Sequence, residues 1–224
     1  ENMVRHGMSV RVKICGIKDE AALFACVEAR ADLVGFVFYP KSPRYLTPAD
    51  AVPLVTYIRG VAGSVALVVD ADDALLSEIV TVVAPDMLQL HGHETPERVA
   101  EVKARFGKPV MKAIAVATAE DAARALDYRG IADLILFDAK PAPGAALPGG
   151  NGVAFDWRAL EAVKDEVGFM LSGGLTPDNV AAAVRLTGAR AVDVSSGVES
   201  APGVKDPELI RRFLSAAKAI KQAV

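Results

Sequence analysis

"VRVKICGIKDE", residues 10–20, decides between the two α/β plans open to this chain. Val10, Val12 and Ile14 alternate with Arg11, Lys13 and Cys15, the two-residue period of a strand, and the run stops at Cys15–Gly16. An open doubly wound sheet more often follows its first strand with a glycine-rich turn, and here a single glycine stands in that place. The pattern further along favours a closed ring. Short apolar runs recur near 33–38, 65–70, 86–90, 109–115, 132–138, 167–172 and 191–195. Amphipathic stretches at 18–30, 47–59, 72–83, 95–106, 118–126, 156–165, 176–187 and 206–222 separate them. Thr47–Pro48, Thr95–Pro96, Thr176–Pro177 and Asp206–Pro207 each place a capping side chain before a proline suited to a first helical turn. Eight strand–helix units in 224 residues predict a single (β/α)8 TIM barrel at the compact end of its size range.

The bulk composition fits one such domain. At 52% hydrophobic the chain can bury a large core, and a net charge of -3 with scattered basic residues gives no footprint for nucleic acid. Uncharged apolar runs such as "LVGFVFYP" fall well short of the ~18 residues of a membrane span. Two cysteines make no disulfide framework and read as reduced thiols of a cytosolic protein. "ENMVRHG" lacks the apolar region of a signal peptide; residues 1–7 read as a remnant before a natural start at Met8, leaving 8–224 as the barrel.

Barrel enzymes carry their chemistry at the C-terminal ends of the strands. If Val10, Val12 and Ile14 face the helices, Lys13 points into the barrel and Cys15 stands at its mouth. There a partly exposed thiol would ionise if cationic neighbours lowered its pKa; the alternative is a small buried hydrophobe. Cys26 continues a helical stripe with Leu23, Val27 and Arg30 and reads as packing. "FYPKSPRYL", residues 38–46, stiffens a loop with two prolines around Arg44, whose guanidinium suits a carboxylate or phosphate if it is not simply solvated. "LQLHGHE", residues 88–94, turns Gln89 and His91 inward at the rim, His91 being either an acid–base group or a histidine bonded to its surroundings. "DLILFDAK", residues 133–140, is apolar until Asp138, a costly carboxylate unless paired or functional. Strands 1 and 6 lie three steps apart around a ring of eight, which sets Cys15 opposite Asp138.

The last two strands end in "LSGGLTPDNV" (171–180) and "VDVSSGVES" (192–200). Bare backbone at Gly173 and Gly174, with Ser195, Ser196 and Gly197 opening a short extra helix, is the usual phosphate cradle of the fold. Asp193 either pairs with Lys13 inside the barrel or contacts substrate. "PAPGAALPGGNG", residues 141–152, is either a lid or a disordered insertion.

Taken in order, "KICG", "GFVF", "KSPR", "QLHG", "LFDA", "FDW", "SGGLTPDNV" and "VDVSSGVE" resemble the phosphoribosylanthranilate isomerase family of tryptophan biosynthesis, over the chain from Val10 onward. The resemblance implies an Amadori rearrangement of N-(5-phosphoribosyl)anthranilate to the 1-(carboxyphenylamino)-1-deoxyribulose 5-phosphate in the cytoplasm. It implies no metal or organic cofactor, no nucleic-acid or membrane partner, and a monomer or homodimer. By position Cys15 matches the family's general base and Asp138 its general acid. Arg44 matches its contact to the anthranilate carboxylate; Gln89, His91 and Asp193, placed at the rim by strand parity, are candidate substrate contacts beside it. Gly173, Gly174, Ser196 and Gly197 match its phosphate-binding backbone. One departure is Asn151 in the lid, where the family pattern leads one to expect threonine or serine. The competing readings are the histidine-pathway aminoaldose isomerase, which is expected to carry an aspartate in place of Cys15, and a silent phosphosugar-binding barrel.

Overall fold

In the computed structural model, which describes residues 9–220, eight parallel strands close into a ring in sequence order. They are β1 Arg11–Cys15, β2 Leu33–Val37, β3 Gly63–Val68, β4 Met87–Leu90, β5 Val110–Val116, β6 Leu134–Ala139, β7 Phe169–Leu171 and β8 Ala191–Val194. β1 pairs with β2 on one side and β8 on the other, Lys13 standing level with Leu33 and Asp193. All eight predicted strands and the barrel are therefore present. The remnant and the start at Met8 lie outside the described residues.

The alternation in β1 is what the ring requires. Val10, Val12 and Ile14 join the large shell between strands and helices, with Leu23, Phe36, Leu54, Phe137 and Phe213. The opposite faces fill the barrel with Leu33, Val65, Met111, Leu136 and Met170, and near the mouth with Cys15, Val37 and Leu67. Lys13 and Asp193 are buried within that interior and bond at 3.0 Å. A lone charge there would cost several kcal/mol, so the two stand as a pair.

Among the described residues six α-helices link the strands of the ring, α1 Glu20–Glu28, α2 Pro48–Ile58, α3 Asp73–Glu78, α4 Pro96–Phe106, α5 Ala119–Ala123 and α6 Val180–Thr187, and α7 Pro207–Lys218 follows the last of them. Thr47, Thr95 and Asp206 cap α2, α4 and α7 through their side chains, with proline in the first turn. Four helical expectations need correction. The stretch 156–165 forms only a 3₁₀ turn, Trp157–Leu160, and further turns, burying Leu160 and Val163 at the three-residue spacing of the tighter helix. α3 passes into a π-turn over the β-branched run Ile79–Val83, and α5 into a 3₁₀ turn, Arg124–Tyr128. α6 begins a turn later than predicted, with Asn179 as its cap. Thr176 bonds to Asn179, its amide donating to Asn179 Oδ1 at 2.8 Å and its Oγ1 accepting from the Asn179 amide at 3.3 Å. After β8 comes the short 3₁₀ helix expected there, Ser196–Val198, and then a hairpin the sequence did not announce: β9 Glu199–Ala201 and β10 Val204–Lys205.

Candidate active site

The C-terminal strand ends surround a cavity of about 360 Å³ lined by Cys15, Arg44, Gln89, His91, Asp138, Asp193 and the turns after β7 and β8. Every side chain proposed from the sequence for the site reaches it.

Of the two readings of Cys15, partly exposed or buried, the structure shows the buried one, with only 4% of the residue accessible, although it lines the cavity. It pairs in register with Gly35 of β2, and a Cβ at Gly35 would stand 2.8 Å from Cys15 Sγ and 3.1 Å from Lys13 Cε. The bare glycine makes room for thiol and ammonium side by side. Burial pushes the Cys15 pKa up; Lys13 opposes this, Asp193 adds to it, and Lys205 opposes it more weakly. Burial wins, so the Cys15 pKa lies above the ordinary thiol value rather than below it. Burial on its own would lower the Lys13 pKa, but Asp193, and after it Cys15, hold it above the ordinary lysine value. Asp193 also accepts a hydrogen bond from Ser172 Oγ at 3.0 Å. Its interior pairing with Lys13, one of the two readings offered by the sequence, is thus observed.

Across the mouth, Asp138 Oδ1 accepts from the amide of Ala139 at 2.9 Å, and Oδ2 lies 3.1 Å from His91 Nε2. Gln89 Nε2 donates to His91 Nδ1 at 2.9 Å. With Nδ1 accepting, the proton of a neutral ring sits on Nε2 and points at the carboxylate. Gln89 Oε1 is buried without a hydrogen-bond partner among the described residues. The loop 141–152 folds over this group, and a Cβ at Gly149 would come within 2.5 Å of Asp138 Oδ2 and 2.7 Å of His91 Nε2, so only glycine permits the approach. Asn151 Nδ2 donates to Leu147 O at 3.3 Å, within the loop itself.

Arg44, 5% exposed, meets a partner that sequence reasoning missed: Nε and Nη2 donate to Glu199 Oε1 and Oε2 at 2.7 and 2.9 Å. "GVE" at 197–199 lay within a quoted motif, but nothing in its spacing marked Glu199 as a partner for a residue 155 positions away. Gly173, Gly174, Ser196 and Gly197 all line the cavity. The amides of Gly173 and Gly174 donate to no acceptor among the described residues, which leaves them open to an anion. No cluster of metal-ligating side chains occurs among the described residues.

This is a closed (β/α)8 barrel whose rim joins a thiol, a carboxylate, an arginine and bare-backbone turns in one pocket, the arrangement of the barrel enzymes. The chain belongs to the N-(5'-phosphoribosyl)anthranilate isomerase family, whose model matches residues 12–216. It is 55% identical over 214 residues to the N-(5'-phosphoribosyl)anthranilate isomerase of Mesorhizobium japonicum, covering 96% of this chain and 98% of that one. The Paramagnetospirillum magneticum enzyme of the same name is 56% identical over 211 residues, 94% and 98% of the two chains. Among solved structures, the Thermotoga maritima phosphoribosyl anthranilate isomerase aligns with a TM-score of 0.84 at 38% identity, covering 94% of this chain and 100% of that one. A phosphoribosyl anthranilate isomerase in complex with reduced 1-(o-carboxyphenylamino)-1-deoxyribulose 5-phosphate aligns at 0.82 and 37% identity, with the same coverage.

Proposed function

We propose that this chain catalyses the rearrangement of N-(5'-phosphoribosyl)anthranilate to 1-(o-carboxyphenylamino)-1-deoxyribulose 5-phosphate, a step of tryptophan synthesis, with Cys15 as general base and Asp138 as general acid. The observation that carries the assignment of roles is their placement: the two groups end strands three steps apart in the ring and line one cavity. Asp138 protonates the ring oxygen, the furanose opens, and the C1–N bond becomes an iminium. Cys15, as thiolate, takes the proton from C2, and the electron pair moves into the C1–C2 bond to give an enolamine. Loss of the C2 hydroxyl proton and gain of a proton at C1 give the ketone. The iminium is the electron sink, so the residues supply only proton transfer and position.

The buried thiol defines when the base forms. Burial raises the Cys15 pKa, so the thiol must first give up its proton to solvent, and a positive iminium arising beside it favours the thiolate at the moment a base is needed. For the acid, the Gln89–His91 pair gives a second tautomer. If the Gln89 amide turns, its oxygen accepts from Nδ1–H, and Nε2 then accepts from a protonated Asp138. The phosphate is held by the backbone of Gly173, Gly174, Ser196 and Gly197, and the anthranilate carboxylate by Arg44. We place this activity in the cytoplasm, consistent with two free cysteines and with no helix among the described residues long and apolar enough to cross a membrane. The barrel acts as a single catalytic domain, as a monomer or homodimer.

The test is direct. Phosphoribosylanthranilate is generated in situ, the protein is added, and loss of its fluorescence is followed, with the histidine-pathway aminoaldose run in parallel. Turnover of the first supports the assignment; turnover of the second alone, or of neither, contradicts it.

A further inference from the structure

Glu199 begins β9, outside the set of residues assigned to the reaction, and its carboxylate is buried, the side chain 4% exposed. Besides Arg44 it binds Lys205 of β10, whose Nζ lies 2.6 Å from Oε1, and the Gly203 amide, 3.2 Å from Oε2. Lys205 is enclosed too, and its ammonium also donates to the Ser195 carbonyl at 3.0 Å and to Ser195 Oγ at 3.2 Å. A continuous polar chain, Arg44–Glu199–Lys205–Ser195, therefore runs from the loop after β2 to the turn that opens the phosphate cradle. It holds two basic groups and one carboxylate; burial pushes the Lys205 pKa down against the pull of Glu199, and Asp138 is a further carboxylate acting on Arg44 across the cavity. Arg44 turns two of its nitrogens to Glu199. The third, Nη1, has no hydrogen-bond partner among the described residues and faces the lid, where a Cβ at Gly150 would stand 2.5 Å from it.

A guanidinium held by two parallel bonds keeps its plane fixed, and the edge it leaves free is then aimed as well. We propose that Glu199 is a positioning residue for substrate recognition. With Lys205 it fixes the direction of Arg44 and its separation from the phosphate turn, and so selects substrates bearing a carboxylate and a phosphate at opposite ends. This rests on the reading of Arg44 given under the proposed function. Lys205 anchors Glu199 in turn, so the carboxylate that orients the guanidinium is itself held in place.

The test compares two ligands: reduced 1-(o-carboxyphenylamino)-1-deoxyribulose 5-phosphate and its counterpart with a plain phenyl ring. Their affinities are measured for the unaltered protein, Glu199→Gln and Arg44→Ala. Glu199→Gln is expected to weaken the carboxylated ligand by about tenfold to a hundredfold, the scale of a hydrogen bond to a charged group, and to leave the phenyl ligand within about twofold. KM should rise by the same factor while kcat changes little. Equal weakening of both ligands makes Glu199 a purely structural anchor and overturns the proposal, as does no change in either. If Arg44→Ala selectively weakens the carboxylated ligand in those cases, its contact to the carboxylate stands. If Arg44→Ala weakens both ligands equally or neither, that reading falls and the positioning role with it. Should Glu199→Gln fail to fold, Glu199→Asp keeps the charge with a shorter reach and is read with the same ligand pair. Selective loss of the carboxylated ligand supports the proposal, and equal loss or none overturns it.

Discussion

Cys15 and Cys26 are the same residue type, both enclosed, at 4% and 0% exposure, yet the fold sets them in different surroundings. Cys26 lies on α1 in the shell between helices and strands, and burial pushes its thiol up to about 12. A group so placed is inert packing. Cys15 is raised as well, but it lines the cavity, and Lys13, held beside it in the space cleared by Gly35, works against the rise. Burial alone therefore does not mark a structural cysteine. What separates the two is access to a ligand and a cation anchored by its own carboxylate.

The strongest way to break the contrast acts on the other half of the acid–base pair. Asp138→Asn is expected to reduce kcat by about 10² or more, the usual scale for a lost proton-transfer group, with a smaller change in affinity. Near-normal kcat would leave Cys15 without a partner. Arg44→Ala should raise KM by about tenfold or more through loss of a charge-assisted bond; an effect on kcat alone would reassign the residue. The pairing beneath Cys15 is tested through pH. With Cys15 as the proposed base the rate requires the thiolate, so kcat/KM is expected to rise with pH as the thiol loses its proton. Lys13 opposes the raised Cys15 pKa more strongly than Asp193 supports it. Replacing both, Lys13→Met with Asp193→Asn, leaves no lone buried charge and is expected to shift that rise to higher pH. A shift to lower pH would contradict the role given to Lys13. The smallest effect belongs to Cys26→Ala, which should cost about 1 kcal/mol of stability by thermal melting and leave kcat unaltered.

The ring of strands was legible because strand period and helix period alternate through the whole chain, and parity in β1 already separated Lys13 and Cys15 from Val12 and Ile14. Opposition of Cys15 and Asp138 followed from strand count alone. Less legible was anything set by the environment rather than by position. The thiol's enclosure depends on Gly35, Val37 and Leu67 from neighbouring strands, which parity in β1 cannot report. Glu199 escaped notice because its partner Arg44 is remote in sequence and the hairpin that carries Glu199 is only a few residues long. The stretch after the lid failed as a helix because tertiary burial of Leu160 and Val163 outweighed good helix-forming composition.

The most direct test of the central claim is the turnover of phosphoribosylanthranilate by Cys15→Ala beside Cys26→Ala, with thermal melting to confirm that both fold. A loss of about 10² or more confined to Cys15→Ala is the predicted result. Equal turnover by the two variants would show that the thiol at the barrel mouth is no more a base than the one buried under α1.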